Sequence, residues 1–286
     1  MSHVPCPTSH VPCHYNVPVR SRVANLPGRS VRYLEAGSGI PVVLLHAFPL
    51  HAEHWLPQLA KVPAGLRIIA PDLRGFAGSE PLAGLSSADV SMDTYAADVL
   101  ELMAHLEMPR AVIGGLSMGG YVALAIARVQ PARVSRLLLA DTRATADTPE
   151  GQAGRDRMLA LLATAGPSGV AATMVPRLLG ETTRREQPDL SDAVTRLIME
   201  NAPEGLSAAV RAMKTRPDST ALLPSIACPV LIVCGEEDVI TPVGDSEMMH
   251  RAVPGAELVV LPRAGHLSNL EQPIAFNDAL YRFASS

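Results

Sequence analysis

Apolar residues gather along this chain in two alternating rhythms. Short, dense runs rich in Val, Ile and Leu fall near residues 41–45, 67–70, 111–114, 135–140, 229–234 and 257–261, and each reads as a buried strand. Between them lie segments with helical spacing, near 52–61, 92–107, 119–129, 245–253 and 272–284. An alternating stretch over 18–36, with Gly28 near its middle, predicts an antiparallel hairpin ahead of the first run. Strands alternating with helices predict an α/β fold. Its sheet is mostly parallel and of the eight-stranded type, with right-handed crossovers and helices on both faces. The rhythm breaks between about residues 143 and 222. That stretch is helical in period, as in Arg157-Met158-Leu159-Ala160-Leu161-Leu162, and contains no strand pattern. Gly154, Gly166, Gly169, Gly180 and Gly205 are expected at its helix ends. The expected organisation is a core over 18–142 and 223–286, with a helical cap over 143–222 inserted between two strands. Residues 1–17, broken by Pro5, Pro7 and Pro12, are expected to be a disordered extension outside the fold.

One junction carries chemistry. Gly115-Leu116-Ser117-Met118-Gly119-Gly120 follows the run Ala111-Val112-Ile113 and precedes a helical run from Tyr121. Strand, G-x-S-x-G, helix is the context of a strained turn that lifts a serine hydroxyl into a pocket. Small residues at 115 and 119 let the strand and helix close on each other. A hydroxyl needs a base to become a nucleophile. His266 follows the run 257–261, and Gly235-Glu236-Glu237-Asp238 follows the run 229–234, so both sit where open α/β sheets place their sites. His266 is the expected base and Asp238 the expected orienting acid, favoured by position over Asp141, Glu236 and Glu237. Backbone N–H donors must meet the developing oxyanion. The expected pair is Met118, directly after the serine, and Phe48, in the loop His46-Ala47-Phe48-Pro49. His46 itself reads as a hydrogen-bonded structural histidine.

These segments together resemble the α/β-hydrolase superfamily. The resemblance rests on His46-Ala47-Phe48-Pro49, Asp72-Leu73-Arg74-Gly75-Phe76-Ala77-Gly78-Ser79, the Ser117 turn, the Asp238 turn, and Gly265-His266 followed by Glu271-Gln272-Pro273. It spans roughly residues 18 to 285. Within the superfamily the chain looks like the small esterase, enol-lactonase and cofactor-free haloperoxidase group. Pro176–Gly180 through Arg216–Ser219 looks most like proteins labelled 3-oxoadipate enol-lactonase. Ala47 departs from the pattern, since glycine is commoner there. Serine at 117 excludes the haloalkane dehalogenase and epoxide hydrolase pattern, which has aspartate. The resemblance implies hydrolysis of small to medium esters or lactones, acyl-homoserine lactones among the alternatives, through Ser117, His266 and Asp238. It implies no cofactor and no metal. The same residues can pass an acyl group to peroxide, giving apparent haloperoxidase activity. More distant alternatives are a ligand receptor on a hydrolase scaffold and an idle interaction protein.

Composition changes this picture little. The chain has 286 residues and a net charge of −4, with no basic patch to suggest nucleic acid and no apolar run judged long enough to span a membrane. A cytoplasmic enzyme acting on a small molecule is expected. Cys228 and Cys234 flank one strand roughly 20 Å apart, beyond disulfide reach, and read as small apolar residues. Ser2-His3-Val4-Pro5-Cys6 recurs as Ser9-His10-Val11-Pro12-Cys13, which reads as a stiff tail in preference to a zinc site. Phe48, Trp55, Met118, Tyr121, Met158, Leu162, Met174, Val175, Leu179 and Leu267 are the expected pocket lining. Arg143, Arg177, Arg184 and Arg185 have the chemistry to hold a substrate carboxylate, but with Asp147, Glu150, Glu181 and Glu186 nearby they read as a solvated face.

Overall fold

The computed structural model describes residues 18–79 and 89–286. The expectations for the tail, its repeated Ser-His-Val-Pro-Cys unit included, lie outside the described residues. Strands β1 (Arg20–Leu26) and β2 (Arg29–Gly37) form the hairpin, turning at Gly28 with φ +76°. Then come β3 (Gly39–Leu45), β4 (Gly65–Pro71), β5 (Ala111–Leu116), β6 (Val134–Ala140), β7 (Val230–Gly235) and β8 (Glu257–Leu261). They form one eight-stranded sheet in the order β1-β2-β4-β3-β5-β6-β7-β8. β2 runs antiparallel to both its neighbours, β1 and β4, and every other pairing is parallel. Every residue of β5 and β7 is buried, as central strands covered on both faces require.

The order reverses at β3: the chain steps from β3 outward to β4, then crosses back to β5 on the other side. The loops leaving β3 and β5 therefore open side by side at the carboxyl edge of the sheet, where a crevice forms. This places the loop after Leu45 beside the turn at Ser117.

Helices α1 (Leu56–Leu59), α2 (Met92–His105), α3 (Met118–Val129), α8 (Val243–Ala252), α9 (Ser268–Glu271) and α10 (Pro273–Ser285) accompany the strands. Ser91 begins α2 with a capping box shared with Thr94. Two expected helices are divided. The segment 52–61 is a 3₁₀ turn, Ala52–Trp55, running into α1. The segment 272–284 begins early, as α9, and restarts at Pro273. Proline disfavours helical backbone before it, and Gln272 adopts φ −128°, ψ 60°.

Between β6 and β7 lie α4 (Pro149–Leu178), α5 (Glu181–Glu186), α6 (Pro188–Met199) and α7 (Pro203–Lys214). Of the five glycines expected at helix ends there, Gly166 breaks α4 and Gly180 caps α5. Gly154, Gly169 and Gly205 instead lie inside helices. Gly205 is there because α7 rests on the loop after β4, and a Cβ would overlap the Gly75 carbonyl. The expectation about apolar runs also changes. By length and composition alone α4 could cross a membrane, and residues 158–175 carry no charge. That window is not one straight helix: Gly166, at φ 59° and ψ −157°, with Pro167 behind it, splits α4 into two arms.

Candidate active site

Ser117 sits between β5 and α3 at φ 55°, ψ −112°, a backbone region that non-glycine residues rarely occupy. The turn is held from below. The Ser117 amide donates to the Ala140 carbonyl at 2.9 Å, and the Thr142 hydroxyl donates to the Ser117 carbonyl at 2.8 Å. The glycines permit it: a Cβ at Gly115 would overlap the Gly119 carbonyl, and one at Gly119 would overlap the Leu45 carbonyl. Gly119→Ala is therefore expected to cost more than about 3 kcal/mol, because fixed backbone blocks the methyl group. Urea unfolding would check this, and a stability equal to the wild type would show that the turn relaxes freely.

The Ser117 hydroxyl lies 2.8 Å from His266 Nε2, and His266 Nδ1 lies 2.7 Å from Asp238 Oδ2. The three side chains come from turns after β5, β8 and β7, all at the carboxyl edge of the sheet, with β6 between β5 and β7. His266 is 1 % exposed, Asp238 5 % and Ser117 8 %, so all three groups are buried. Asp238 is held on all sides. Oδ1 accepts the amides of Ile240 at 2.7 Å and Thr241 at 3.0 Å, and Oδ2 accepts the Thr241 hydroxyl at 2.5 Å. Burial opposes its ionisation, but the His266 ring and these bonds outweigh it and hold the carboxyl below its usual range.

The competing acids sit elsewhere. Asp141, wholly buried, accepts the Gly235 amide at 2.8 Å on Oδ1 and bonds the Ser268 hydroxyl through Oδ2. Burial and the charge of Asp238 push its carboxyl well above the usual range. Glu236 lies near the Arg263 amide, and Glu237 accepts the amide and hydroxyl of Thr182.

The amides of Phe48 and Met118 meet no protein acceptor among the described residues. His46 ties the Phe48 loop down: Nδ1–H donates to the Ala47 carbonyl at 3.1 Å, and Nε2 accepts the Leu73 amide at 3.0 Å. Burial drives its pKa down to about 3, which keeps the ring neutral for that pair of bonds. A buried hydroxyl–imidazole–carboxylate chain can generate an alkoxide-like nucleophile.

A model of the alpha/beta hydrolase family matches residues 42–279. The chain belongs to that family. The hydrolase is 29% identical over 226 residues to 3-oxoadipate enol-lactonase 2 of Acinetobacter baylyi, covering 79% of this chain and 81% of that protein. Among solved structures it is similar to a thermophilic esterase from Thermogutta terrifontis. That match is 38% identical with a TM-score of 0.86, over 92% of this chain and 97% of that one. It is also similar to the enol-lactonase from Burkholderia xenovorans LB400, at 26% identity and TM-score 0.84, over 93% and 100% of the two chains.

The residues expected to line the hydrolase pocket scatter. Trp55 is core: its ring packs on His54 at 4.5 Å and Phe276 at 5.8 Å. Tyr121 lies under the Arg216 guanidinium at 4.1 Å. Leu162, Val175, Leu179 and Leu267 are buried, and Met158 and Met174 are partly so. Of the four arginines, Arg143 pairs with Asp245 at 3.2 Å and Arg185 with Glu186 at 3.0 Å. Arg177 and Arg184 are exposed.

Several supporting residues carried no role in the sequence reading. Asp72 clasps the early loops, accepting the Ala52 amide at 2.8 Å, the Gly78 amide at 3.2 Å and Arg32 at 2.9 Å. Asn201, ahead of α7, donates to the Pro49 carbonyl at 2.9 Å and accepts the Ala77 amide at 3.0 Å, so it fastens the helices between β6 and β7 to the loop of Phe48. Thr241 had a local signal, an Asp with a hydroxyl residue three positions on, the spacing of a side-chain-closed turn. Asn201 had none.

Proposed function

We propose that this chain is a serine carboxylic-ester hydrolase acting on small to medium esters or lactones. The observation that supports it most is the continuous Ser117–His266–Asp238 chain at 2.8 and 2.7 Å. In the first step His266 Nε2 takes the Ser117 proton as Oγ attacks the carbonyl carbon. The carbonyl oxygen gains charge and is met by the amides of Phe48 and Met118. Asp238 keeps the Nδ1–H tautomer and stabilises the imidazolium. The imidazolium then protonates the leaving alcohol, or the alkoxide end of an opened lactone, and an acyl-Ser117 remains. Water, deprotonated by His266, releases the acid and restores the serine. Every step runs on this chain's own residues.

Similarity to both an esterase and enol-lactonases supports the pairing of ester and lactone substrates. The test is an acyl-length series of p-nitrophenyl esters beside several lactones, with peroxide-dependent bromination measured in parallel. The expected result is fast hydrolysis of short to medium acyl chains or of a lactone. Bromination outrunning every hydrolysis would favour acyl transfer to peroxide instead. An absence of turnover in all arms would overturn the reading.

A further inference from the structure

Glu271 is a buried carboxylate, 2 % exposed, with no cation against it among the described residues. Leaving such a group unpaired in the interior is costly unless fixed donors surround it. Its donors are backbone amides from two directions. Oε1 accepts Gly265 N–H at 2.9 Å and Leu267 N–H at 3.1 Å, the residues on either side of His266. Oε2 accepts Gly180 N–H at 2.8 Å, from the link between α4 and α5. Burial pushes its pKa up, and the Thr183 side chain together with these three amides opposes the shift.

The surroundings make this more than a loop clasp. Leu267 N–H also donates to the Leu178 carbonyl at 3.2 Å, and a Cβ on either Gly180 or Gly265 would overlap the other's backbone. Glu237, beside Asp238, accepts the Thr182 amide at 2.8 Å. The segment 178–182 is thus stitched to the loops of both His266 and Asp238. The Oε1 bonds straddle His266: they hold the His266–Leu267 peptide, which flanks its Cα directly, and the Ala264–Gly265 peptide one unit before it, so the residue whose Cα–Cβ bond aims the ring is pinned from both sides. Among the described residues the ring nitrogens bond to Ser117, Asp238 and Thr241.

We propose that Glu271 is a positioning residue: it aligns His266 Nε2 with the Ser117 hydroxyl through the flanking amides, and joins that alignment to the cap through Gly180. This rests on the serine hydrolase reading above. Glu271→Ala removes both oxygens and with them all three bonds. Glu271→Gln keeps one oxygen, which satisfies the Gly265–Leu267 pair or Gly180 but not both, and turns an N–H donor toward the other.

The test measures the rate at which a fluorophosphonate labels Ser117, together with kcat and KM for a p-nitrophenyl ester and the thermal midpoint. Misplacement of a reacting group by about 1 Å costs roughly 10²-fold. Glu271→Ala is expected to slow both labelling and kcat by about that factor while KM changes little, and Glu271→Gln is expected to fall between it and the wild type. If Glu271→Ala does not fold, Glu271→Gln still carries the test, with a loss of about tenfold in labelling expected from the same argument. The downfield proton resonance of the His266–Asp238 bond should weaken in the same variants. Folded variants labelled as fast as the wild type, or changed in KM alone, overturn the role of Glu271 and leave the hydrolase reading standing. A wild type that neither labels nor hydrolyses overturns both.

Discussion

Ser117→Ala is expected to reduce ester turnover by about 10⁴-fold or more while the protein stays folded. The substitution removes one oxygen from a turn whose backbone is held by other groups, the Ala140 carbonyl and the Thr142 hydroxyl. The unusual φ of 55° persists, since alanine is hardly worse there than serine. Loss of the hydroxyl also removes the only Nε2 partner of His266 among the described residues, and the thermal midpoint should stay within a few degrees. A fluorophosphonate should add to Ser117 in the wild type, seen by intact and peptide mass, and to no residue in the variant. Turnover within about tenfold of the wild type would remove the serine from the mechanism, since members of such a unit typically cost far more.

Much of this arrangement was legible because it is written in local patterns. The central strands are continuous apolar runs, and each run ends where a polar or glycine-rich turn begins, so the edge of the sheet bearing Ser117, Asp238 and His266 could be located before any contact was known. The glycines at 115 and 119 are local in the same way. What stayed hidden depends on contacts distant in sequence. Gly205 reads as a helix end, but its role is set by Gly75 across the cap boundary. Trp55 looks like a pocket aromatic, and only the position of α10 makes it a partner of Phe276. Asn201 bridges Pro49 and Ala77, neither of which is near it in sequence. The break in α4 was signalled by Gly166-Pro167. The apolar window across it still passes for a span, because hydropathy counts residues without regard to backbone direction.

The two buried aspartates should part company under amide substitution. Asp238→Asn is expected to lower kcat by about 10⁴-fold, because the amide favours the wrong imidazole tautomer and removes the charge that supports the imidazolium. Asp238 ionises below the usual carboxylate range, so at neutral pH it supplies a full charge to His266. Asp141 lies in the opposite state. With its carboxyl pushed well up by burial and by Asp238, it binds a proton more tightly folded than unfolded. Such a group opposes folding once the pH exceeds its unfolded pKa of about 3.9, and the penalty disappears as pH falls back toward that value. Asparagine copies the neutral acid, since its oxygen can accept the Gly235 amide and its NH₂ can donate to the Ser268 hydroxyl. Asp141→Asn should therefore keep kcat within about tenfold, a loss far smaller than that from the tautomer-setting acid. It should match or exceed the wild-type thermal midpoint at pH 8, and that advantage should shrink toward pH 4. Paired kcat measurements and melts across that range decide it. If Asp141→Asn were the more damaging to turnover, the acid assignment would pass from Asp238 to Asp141. If it were strongly destabilising at pH 8, Asp141 would have to be ionised in the folded protein, with Gly235 and Ser268 as its counter-donors.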